Sequence, residues 1–338
     1  MPTNHAIVLD NRPEAEVSTS NFKMITAETP ALQEGQVLVK NHYLSLDPYM
    51  RGRMNAGKNY AQPQSLGEPM IGGTVGEVAE SKNAKFKVGQ TVQCMGGWQA
   101  YSLINADVPG ALKHVNAEKI SMSHYLGAVG MPGVTAWYGL NKIIQAKPGA
   151  TVTVSAASGA VGSAYGALAK ARGFRVVGTA GGKAKCDYVV NELGFDACVD
   201  YKAHTDYISL SKALRDACPN GIDGHFENVG GMVLDAVMLR ANDFSRIAVC
   251  GMIAGYNGEP LAMTNPTLIL KSRMTIEGFI VSEHMEVWPE ALAELAELIA
   301  SGKFNPRQTI AQGLAAAPEA FMGLLKGHNF GKQVVKLI

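Results

Sequence analysis

The sequence has few cysteines, and they form neither a metal site nor a disulfide framework. The five cysteines are an odd number and include no Cys-x-x-Cys pair, while the eight histidines are scattered along the chain. This pattern argues against a structural zinc lobe and against a small fold held together by disulfides. We therefore expect no metal site.

The sequence also lacks a large excess of charge of either sign, and it lacks long apolar runs. Thirty Lys and Arg are balanced by 29 Asp and Glu, so the net charge of +1 gives no electrostatic case for nucleic acid or anionic lipid. No apolar run reaches the 18 or so residues of a membrane span, and the first residues lack the pattern of an export signal. We expect a cytoplasmic protein with no nucleic-acid partner and no membrane partner.

The order of strand and helix patterns predicts one domain inserted into another. With 338 residues, the chain is long enough for about two domains. Residues 1–124 carry short β-branched runs, among them Thr91 to Ile104, whereas residues 125–300 alternate short apolar strands with helix-length segments. Such alternation is typical of a parallel sheet covered on both faces. We predict an α/β protein in which a doubly wound domain, 125–300, interrupts a β-rich domain formed by 1–124 and 301–338.

The inserted domain is predicted to start with an interrupted helix and to contain six strands. The helix spans Tyr125 to Ala146 and is interrupted at Met131-Pro132-Gly133, and another helix is expected over Gly231–Asn242. The predicted strands are Thr151–Val154, Arg175–Val177, Ala197–Asp200, Gly224–Glu227, Arg246–Cys250 and Thr275–Val281.

The segment at the first of these strands is the most informative one. It runs Thr151-Val-Thr-Val-Ser-Ala-Ala-Ser-Gly-Ala-Val-Gly-Ser163, and it keeps the G-x-G-x-x-G spacing with Ala157 in the first position. Gly159 would let the backbone approach a pyrophosphate, and Gly162 would let the following helix pack close to the strand. A tight turn without a ligand is the alternative. Because four more strand–helix units follow, the segment predicts a dinucleotide site.

The second strand indicates which dinucleotide is bound. It leads into Gly178-Thr-Ala-Gly-Gly182, and no acid precedes Asp187, although an acid near this place accepts the ribose 2′-hydroxyl of NAD. The glycines, Gly178 and Gly181 among them, leave room for a 2′-phosphate that a lysine would neutralise. We predict NADPH/NADP+, and the sequence leaves open whether Lys183 or Lys185 meets the phosphate.

The absence of certain catalytic groups narrows the range of reactions that the protein could catalyse. There is no zinc-ligand pattern, and the helical run in which a short-chain enzyme keeps a Tyr-x-x-x-Lys relay has none, since Tyr165 is followed at the fourth place by Ala169. Reduction of a conjugated carbon–carbon double bond needs only hydride at the β-carbon, donors for the developing enolate and a later proton. Tyrosines in or beside loops with glycine or proline would supply such donors: Tyr43, Tyr49, Tyr60 and Tyr256. Tyr256 is the best candidate because it follows a strand at the ligand-binding edge of the sheet.

Four segments carry a family resemblance. They are Leu44-Ser-Leu-Asp-Pro-Tyr-Met-Arg-Gly-Arg53, Gly130-Met-Pro-Gly-Val-Thr-Ala136, Phe226-Glu-Asn-Val-Gly-Gly231 and Cys250-Gly-Met-Ile-Ala-Gly-Tyr-Asn257. Together they resemble the zinc-independent medium-chain dehydrogenases/reductases, within them the leukotriene B4 dehydrogenase/prostaglandin reductase group, and most of all the bacterial NADPH-dependent curcumin reductases. The resemblance covers nearly the whole chain.

The resemblance implies a GroES-like catalytic domain, a Rossmann domain for NADP(H), and reduction of α,β-unsaturated ketones and aldehydes, including curcumin-type enones and alkenals. It implies a catalytic role for Tyr256, substrate contacts from Tyr49, Met131 and Tyr256, and a homodimer through the edge strand Thr275–Val281. With the glycines described above, the predicted cofactor contacts are Ser158, Gly159, Ala160, Val161, Gly162, Ser163, Gly178, Gly181, Lys185, Tyr201, Asn228, Cys250, Gly251, Met252, Ile253, Tyr256, Phe279, Ile280, Val281, Asn329 and Gly331.

Two alternatives stay open from the sequence. One is an NADPH:quinone reductase of the same superfamily, and the other is a protein that binds NADPH without catalysis. The proton donor also stays open between Tyr256 and solvent.

Overall fold

The computed structural model describes residues 2–57, 59–258 and 260–338. The chain forms two compact units: unit 1 is Met1–Leu126 with Gln308–Ile338, and unit 2 is Gly127–Arg307. The strands are β1 (Thr3–Leu9), β2 (Phe22–Glu28), β3 (Gln36–Ser45), β4 (Thr74–Ser81), β5 (Thr91–Cys94), β6 (Tyr101–Asn105), β7 (Leu112–His114), β8 (Thr151–Val154), β9 (Arg175–Ala180), β10 (Ala197–Asp200), β11 (Ile222–Glu227), β12 (Ala241–Val249), β13 (Thr275–Gly278), β14 (Gln308–Gln312) and β15 (Lys332–Lys336). The helices are α1 (Tyr49–Arg53), α2 (Met131–Tyr138), α3 (Ala160–Ala171), α4 (Lys183–Asn191), α5 (Tyr207–Ala217), α6 (Gly231–Met238), α7 (Thr267–Lys271), α8 (Trp288–Ala300) and α9 (Ala317–Leu325).

Unit 1 is built on a seven-stranded sheet that uses strands from both of its chain segments. The strand order is β14-β15-β3-β4-β5-β7, and β6 also pairs with β3, while β1 and β2 form a separate antiparallel pair. The buried Trp98 lies at the centre of a core cluster and stacks on Phe22 with ring centroids 5.4 Å apart. Phe321 from α9 meets the same indole ring edge-on. The C-terminal segment therefore completes the core as well as the sheet of unit 1.

Unit 2 is a parallel sheet with helices. Its strand order is β10-β9-β8-β11-β12-β13, and every pairing in it is parallel. Counted from β8, this order is 3-2-1-4-5-6, the arrangement of a Rossmann sheet. Helices α2, α3 and α8 pack on one another, and α5 packs on α6, as expected where helices cover two faces of a sheet. The prediction of a doubly wound α/β fold with a separate β-rich sheet is confirmed.

Several predicted boundaries are wrong, each for a local reason. The run from Thr91 to Ile104 is two strands, because Gly97 adopts a left-handed φ of 77° and turns the chain between them. Met131 and Pro132 begin α2 instead of interrupting a helix, since proline is well accommodated in a first turn. After α2, residues Gly139–Ile144 form a π-helical segment. A Cβ on Gly139 would lie 2.2 Å from the Phe226 ring, so only glycine lets this segment pack on the sheet.

In the parallel sheet the predicted bounds shift as well. β9 continues through Gly178 to Ala180, β12 begins at Ala241 because α6 already ends at Met238, and β13 ends at Gly278. β9 and β12 are longer than predicted because neighbouring strands supply partners, for example Ile222 of β11 for Ala241, whereas β13 is shorter than predicted. In the part of the chain that the structure describes, none of the helices has both the length and the apolar character needed to cross a bilayer.

Candidate active site

The turn after β8 has the geometry of a phosphate-binding loop. Helix α3 begins at Ala160, and Gly159 at its N-cap has no side chain with which to cap the first amide groups. A Cβ on Gly162 would lie 2.4 Å from the carbonyl oxygen of Ala156, so only glycine permits this close packing of helix on turn. The positive end of α3 and its first amides are therefore available to a diphosphate.

All the residues predicted for this loop lie together. Ser158 is buried in the turn, Gly159 is the N-cap, and the first turn of α3 holds Ala160, Val161, Gly162 and Ser163. The loop follows the carboxyl end of β8, where the strand order reverses towards β11, and ligands of doubly wound folds bind at this point.

A second group of predicted residues follows β9 and β10. Gly178 lies within β9, where a Cβ would lie 2.5 Å from the Cβ of Ala157 beneath the phosphate loop. A Cβ on Gly181 would lie 2.8 Å from the hydroxyl oxygen of Tyr201 and 3.0 Å from Cε of Lys202. Gly181, Tyr201 and Lys202 are therefore in close contact beside the start of α4.

The two candidate lysines have different surroundings. The side chain of Lys183 is 85% exposed, and its Nζ lies 2.6 Å from Oδ2 of Asp187 one turn along the helix. Lys185 is half-buried, and its pKa is lowered first by burial and then by the positive charge of Lys202. The geometry thus favours Lys185 over Lys183 as the phosphate ligand, and a dianionic phosphate would relieve the repulsion between Lys185 and Lys202.

Lys202 was missed by the sequence reasoning. Its one available signal is its position directly after Tyr201, at the end of a strand next to the cofactor-selecting one. The acid nearest this group, Asp200, accepts hydrogen bonds from the amides of Gly182 (2.7 Å) and Lys202 (3.0 Å). The Asp200 carboxylate therefore holds the two loops together.

A third group surrounds a cavity of about 350 Å³ at the carboxyl edge of β12 and β13. It is lined by Val249, Cys250, Gly251, Met252, Gly278, Phe279, Ile280 and Glu283. Five of these residues were predicted as cofactor contacts, while Glu283 was not, since it follows in a short helical turn with no motif of its own. The predicted Val281 is buried at the start of that turn, and Ile253 begins another turn after the β12 loop.

Tyr256 follows the same loop. A Cβ on Gly251 would lie 3.2 Å from the Tyr256 hydroxyl oxygen, so the phenol folds back onto the loop that lines the cavity. Its hydroxyl therefore lies beside one wall of the cavity, next to a position where only a small residue leaves room.

Asn228 connects two of the loops. Its Nδ2 donates to the carbonyl oxygen of Ser155 (2.8 Å), and its Oδ1 accepts from Sγ of Cys250 (3.0 Å). Burial, and next the negative charge of Glu227, raises the pKa of Cys250, so this group remains a thiol and a donor. The side chain of Asn228 thus joins the phosphate loop to the loop after β12.

The remaining predicted residues are distributed between the units. Met131 begins α2 in unit 2, whereas Tyr49 begins α1 in unit 1. Burial, and then the charge of Asp47, raises the pKa of Tyr49, so its phenol stays protonated and can donate. Tyr43, expected in or beside a loop, lies inside β3, where it pairs with Val75. The fourth candidate tyrosine, Tyr60, lies on an exposed bend.

Asn329 and Gly331 form one local structure in unit 1. Asn329 Nδ2 donates to the carbonyl oxygen of Gly331 (2.7 Å), and Gly331 adopts a left-handed φ of 63°. Directly after it, the buried Lys332 donates to Oδ1 of Asp47 and to the carbonyl oxygen of Leu46, each at 2.6 Å. The C-terminal motif is therefore fixed to the turn that carries Tyr49.

A Rossmann sheet with a glycine phosphate loop, paired with a β-rich unit, defines a dinucleotide-dependent dehydrogenase or reductase. Residues 5–111 match the family described as the N-terminal domain of oxidoreductase, and residues 160–297 match the zinc-binding dehydrogenase family. Within the described ranges, no three His, Cys, Asp or Glu side chains are grouped so that they could hold a metal ion.

The chain is similar over most of its length to proteins named as reductases. It is 40% identical to the NADPH-dependent curcumin reductase of Escherichia coli, covering 99% of this chain and 97% of that protein. It is 43% identical to the NADP(+)-dependent 2-alkenal reductase of Nicotiana tabacum, covering 88% and 86%. The crystal structure of CurA from Vibrio vulnificus in complex with NADPH superposes with a TM-score of 0.92, at 41% identity and 99% coverage of both chains. The chain belongs to the zinc-independent group of the medium-chain dehydrogenase/reductase family.

Proposed function

We propose that this protein is an NADPH-dependent reductase that reduces the carbon–carbon double bond of α,β-unsaturated ketones and aldehydes. The observation that carries the proposal is the cavity at the edge of β12 and β13, which adjoins a tyrosine hydroxyl and shares its sheet edge with a phosphate loop and a lysine pair. Relatives of 40–43% identity named as curcumin and 2-alkenal reductases support both the cofactor and the reaction class.

The residues of unit 2 fit the three parts of the dinucleotide. The first amides of α3 would hold the diphosphate, Lys185 and Lys202 the 2′-phosphate, and the loop from Cys250 to Met252 the nicotinamide end. When bound, NADPH supplies the hydride that reaches the β-carbon of the substrate.

The residues of the chain itself would stabilise the carbonyl oxygen of the substrate and offer one source of the proton. A hydroxyl donor stabilises the negative charge that develops on the carbonyl oxygen as the β-carbon is reduced, and we assign this role to Tyr256. The α-carbon then takes a proton from Tyr256 or from solvent. The apolar side chains of Val249, Phe279 and Ile280 would limit the access of water to the reacting atoms.

The assignment is tested by following NADPH oxidation with a panel of enones, enals and benzoquinone. We expect turnover of the conjugated carbonyls, and for Tyr256→Phe a fall in kcat of about 10²-fold at unchanged NADPH affinity. Tyr207→Phe is the matched control, since it removes a phenol whose oxygen accepts from Asn265 Nδ2 and which is not among the residues that line the cavity. No turnover of any conjugated carbonyl despite tight NADPH binding would favour the non-catalytic alternative, and faster turnover of benzoquinone would favour a quinone reductase.

We also propose that two copies associate through β13. This strand ends the sheet order, its residues are mostly exposed, and two apolar side chains near it, Phe244 and Leu270, are 69% and 80% exposed. Light scattering is expected to give the mass of a dimer, and Leu270→Asp is expected to shift it towards the monomer. The GroES-like assignment of 1–124 and 301–338, the NADP(H) domain bounds 125–300, the absence of nucleic-acid and membrane partners and the cytoplasmic location stay predictions.

A further inference from the structure

The side chain of Glu227 is fully buried at the carboxyl end of β11 and accepts hydrogen bonds on both oxygens. Its Oε1 accepts from the Ser155 hydroxyl (2.5 Å) and from the amides of Val229 and Gly230 (3.0 Å for the latter). Its Oε2 lies 3.0 Å from Nε2 of His225. A buried carboxylate is costly unless its lone pairs are satisfied, and here four donors satisfy them.

His225 is in turn held by a hydrogen bond to the neighbouring strand. Its Nδ1 lies 2.8 Å from the hydroxyl of Thr153 on the neighbouring strand β8, and the imidazole is buried. When the Thr153 hydroxyl donates to Nδ1, the ring proton is on Nε2 and points at Glu227. The order Thr153–His225–Glu227 thus fixes the carboxylate on the side opposite the loops.

Three of the four donors to Glu227 come from the loops of the site. The Ser155 hydroxyl, which donates to Glu227, also accepts from the amide of Asn228 (2.7 Å), so the start of the phosphate loop and the Asn228 turn share one contact. The main chain adds a third loop, because the carbonyl oxygen of Glu227 accepts from the amides of Cys250 (3.1 Å) and Gly251 (3.3 Å). One residue therefore joins the loops that follow β8, β11 and β12.

We propose that Glu227, held by His225, is a positioning residue that sets the arrangement of the loops around the nicotinamide half of the cofactor. The proposal rests on the proposed function, since it assigns the Cys250–Met252 loop to that half. Gly181, Tyr201 and Lys202, which we assign to the 2′-phosphate, follow β9 and β10. In the part of the chain that the structure describes, none of them is among the hydrogen-bond partners of the Glu227 side chain. Loss of the Glu227 carboxylate should therefore weaken binding of the nicotinamide half of the cofactor more than binding of the 2′-phosphate end.

The test compares the whole cofactor with a fragment. Binding of NADPH, NADH and 2′,5′-ADP is measured by calorimetry for Glu227→Gln and for Ser155→Ala, which removes the bridging hydroxyl but leaves the carboxylate. We expect each variant to bind NADPH and NADH about 10-fold more weakly and 2′,5′-ADP within 2-fold of the parent protein. Retained fragment binding also shows that the variant is folded.

A matched control removes another carboxylate of the same unit. Glu294→Gln removes a carboxylate that pairs with Arg172 (2.8 Å) and accepts from Trp137 Nε1 (2.6 Å), and it should leave all three affinities unchanged. Equal loss of NADPH and 2′,5′-ADP in both test variants, or no loss of either, overturns the positioning role. Failure of the parent protein to reduce any enone is a separate result that refutes the proposed function, because the binding comparison does not depend on turnover.

Discussion

Replacing Lys185 with alanine tests which group recognises the 2′-phosphate. Lys185 is half-buried in the first turn of α4, and its pKa is lowered by burial and then by the charge of Lys202. Two cations held near each other beside Gly181 repel, and a phosphate dianion removes that repulsion as it binds. The ribose 2′-hydroxyl of NADH offers no such charge.

The size of the effect follows from the burial of Lys185. A hydrogen bond to a charged group contributes about 1.5–3 kcal/mol, and each 1.4 kcal/mol is a factor of about 10 in affinity. Lys185→Ala should therefore weaken NADPH by roughly 10- to 100-fold and NADH by no more than about 3-fold. Lys202→Ala should lower the affinity for NADPH less than Lys185→Ala does. The side chain of Lys202 is more exposed, so solvent screens its charge more strongly.

Lys183→Ala is the internal control. This exposed lysine is paired with Asp187 at i+4, an arrangement that contributes only about 0.3–0.5 kcal/mol in helices. The dissociation constants of NADPH and NADH would be measured for all three variants by calorimetry at two salt concentrations. The difference between the cofactors should shrink at high salt.

Two results would refute the reasoning. Equal losses of NADPH and NADH in Lys185→Ala would give this lysine a structural role. A larger NADPH-specific loss in Lys183→Ala would mean that the exposed lysine leaves Asp187 to bind the phosphate.

Further predictions concern stability and the phosphate loop. Lys332→Met leaves the buried Asp47 carboxylate without its cationic partner and should lower the free energy of urea unfolding by about 3–5 kcal/mol. Asp47→Asn combined with Lys332→Met should recover part of this loss, and a loss below about 1 kcal/mol for the single variant contradicts a buried pair. Gly162→Ala places a Cβ 2.4 Å from the Ala156 carbonyl oxygen, so both NADPH affinity and the unfolding free energy should fall. Gly57→Ala is the control for Gly162→Ala, because a Cβ at Gly57 meets open space. Equal unfolding free energies for these two variants would show that α3 does not pack closely on the turn at Ala156.

The parts of the fold that sequence predicts well are those with local signals. The alternation of apolar strands and helix-length segments is enough for the parallel sheet, and the turn from Ser155 to Ser163 is recognisable because its glycines are close in sequence. The division of Thr91–Ile104 into two strands was missed, since Met95 and Trp98 continue the apolar pattern while Gly97 turns the chain.

Predicted site residues that are contiguous in the sequence lie together in the structure. Cys250, Gly251 and Met252 form one loop, so a single motif locates them all on the cavity wall. Lys202 was missed because its neighbour Gly181 follows another strand, β9, and Glu227 was missed because Ser155, which donates to it, follows β8. The Thr153–His225–Glu227 order is visible only when β8 and β11 are known to be neighbours.

The place of β15 in its sheet has a consequence for synthesis on the ribosome. This strand lies between β14 and β3, and its first residue, Lys332, neutralises Asp47, which is 285 positions earlier. Residues 127–307 leave the ribosome as an uninterrupted stretch and already contain every strand of the Rossmann sheet. The β-rich unit, in contrast, holds an uncompensated carboxylate and an open strand edge until the last residues emerge. The inserted unit should therefore fold first during synthesis, although the β-rich unit begins earlier in the sequence.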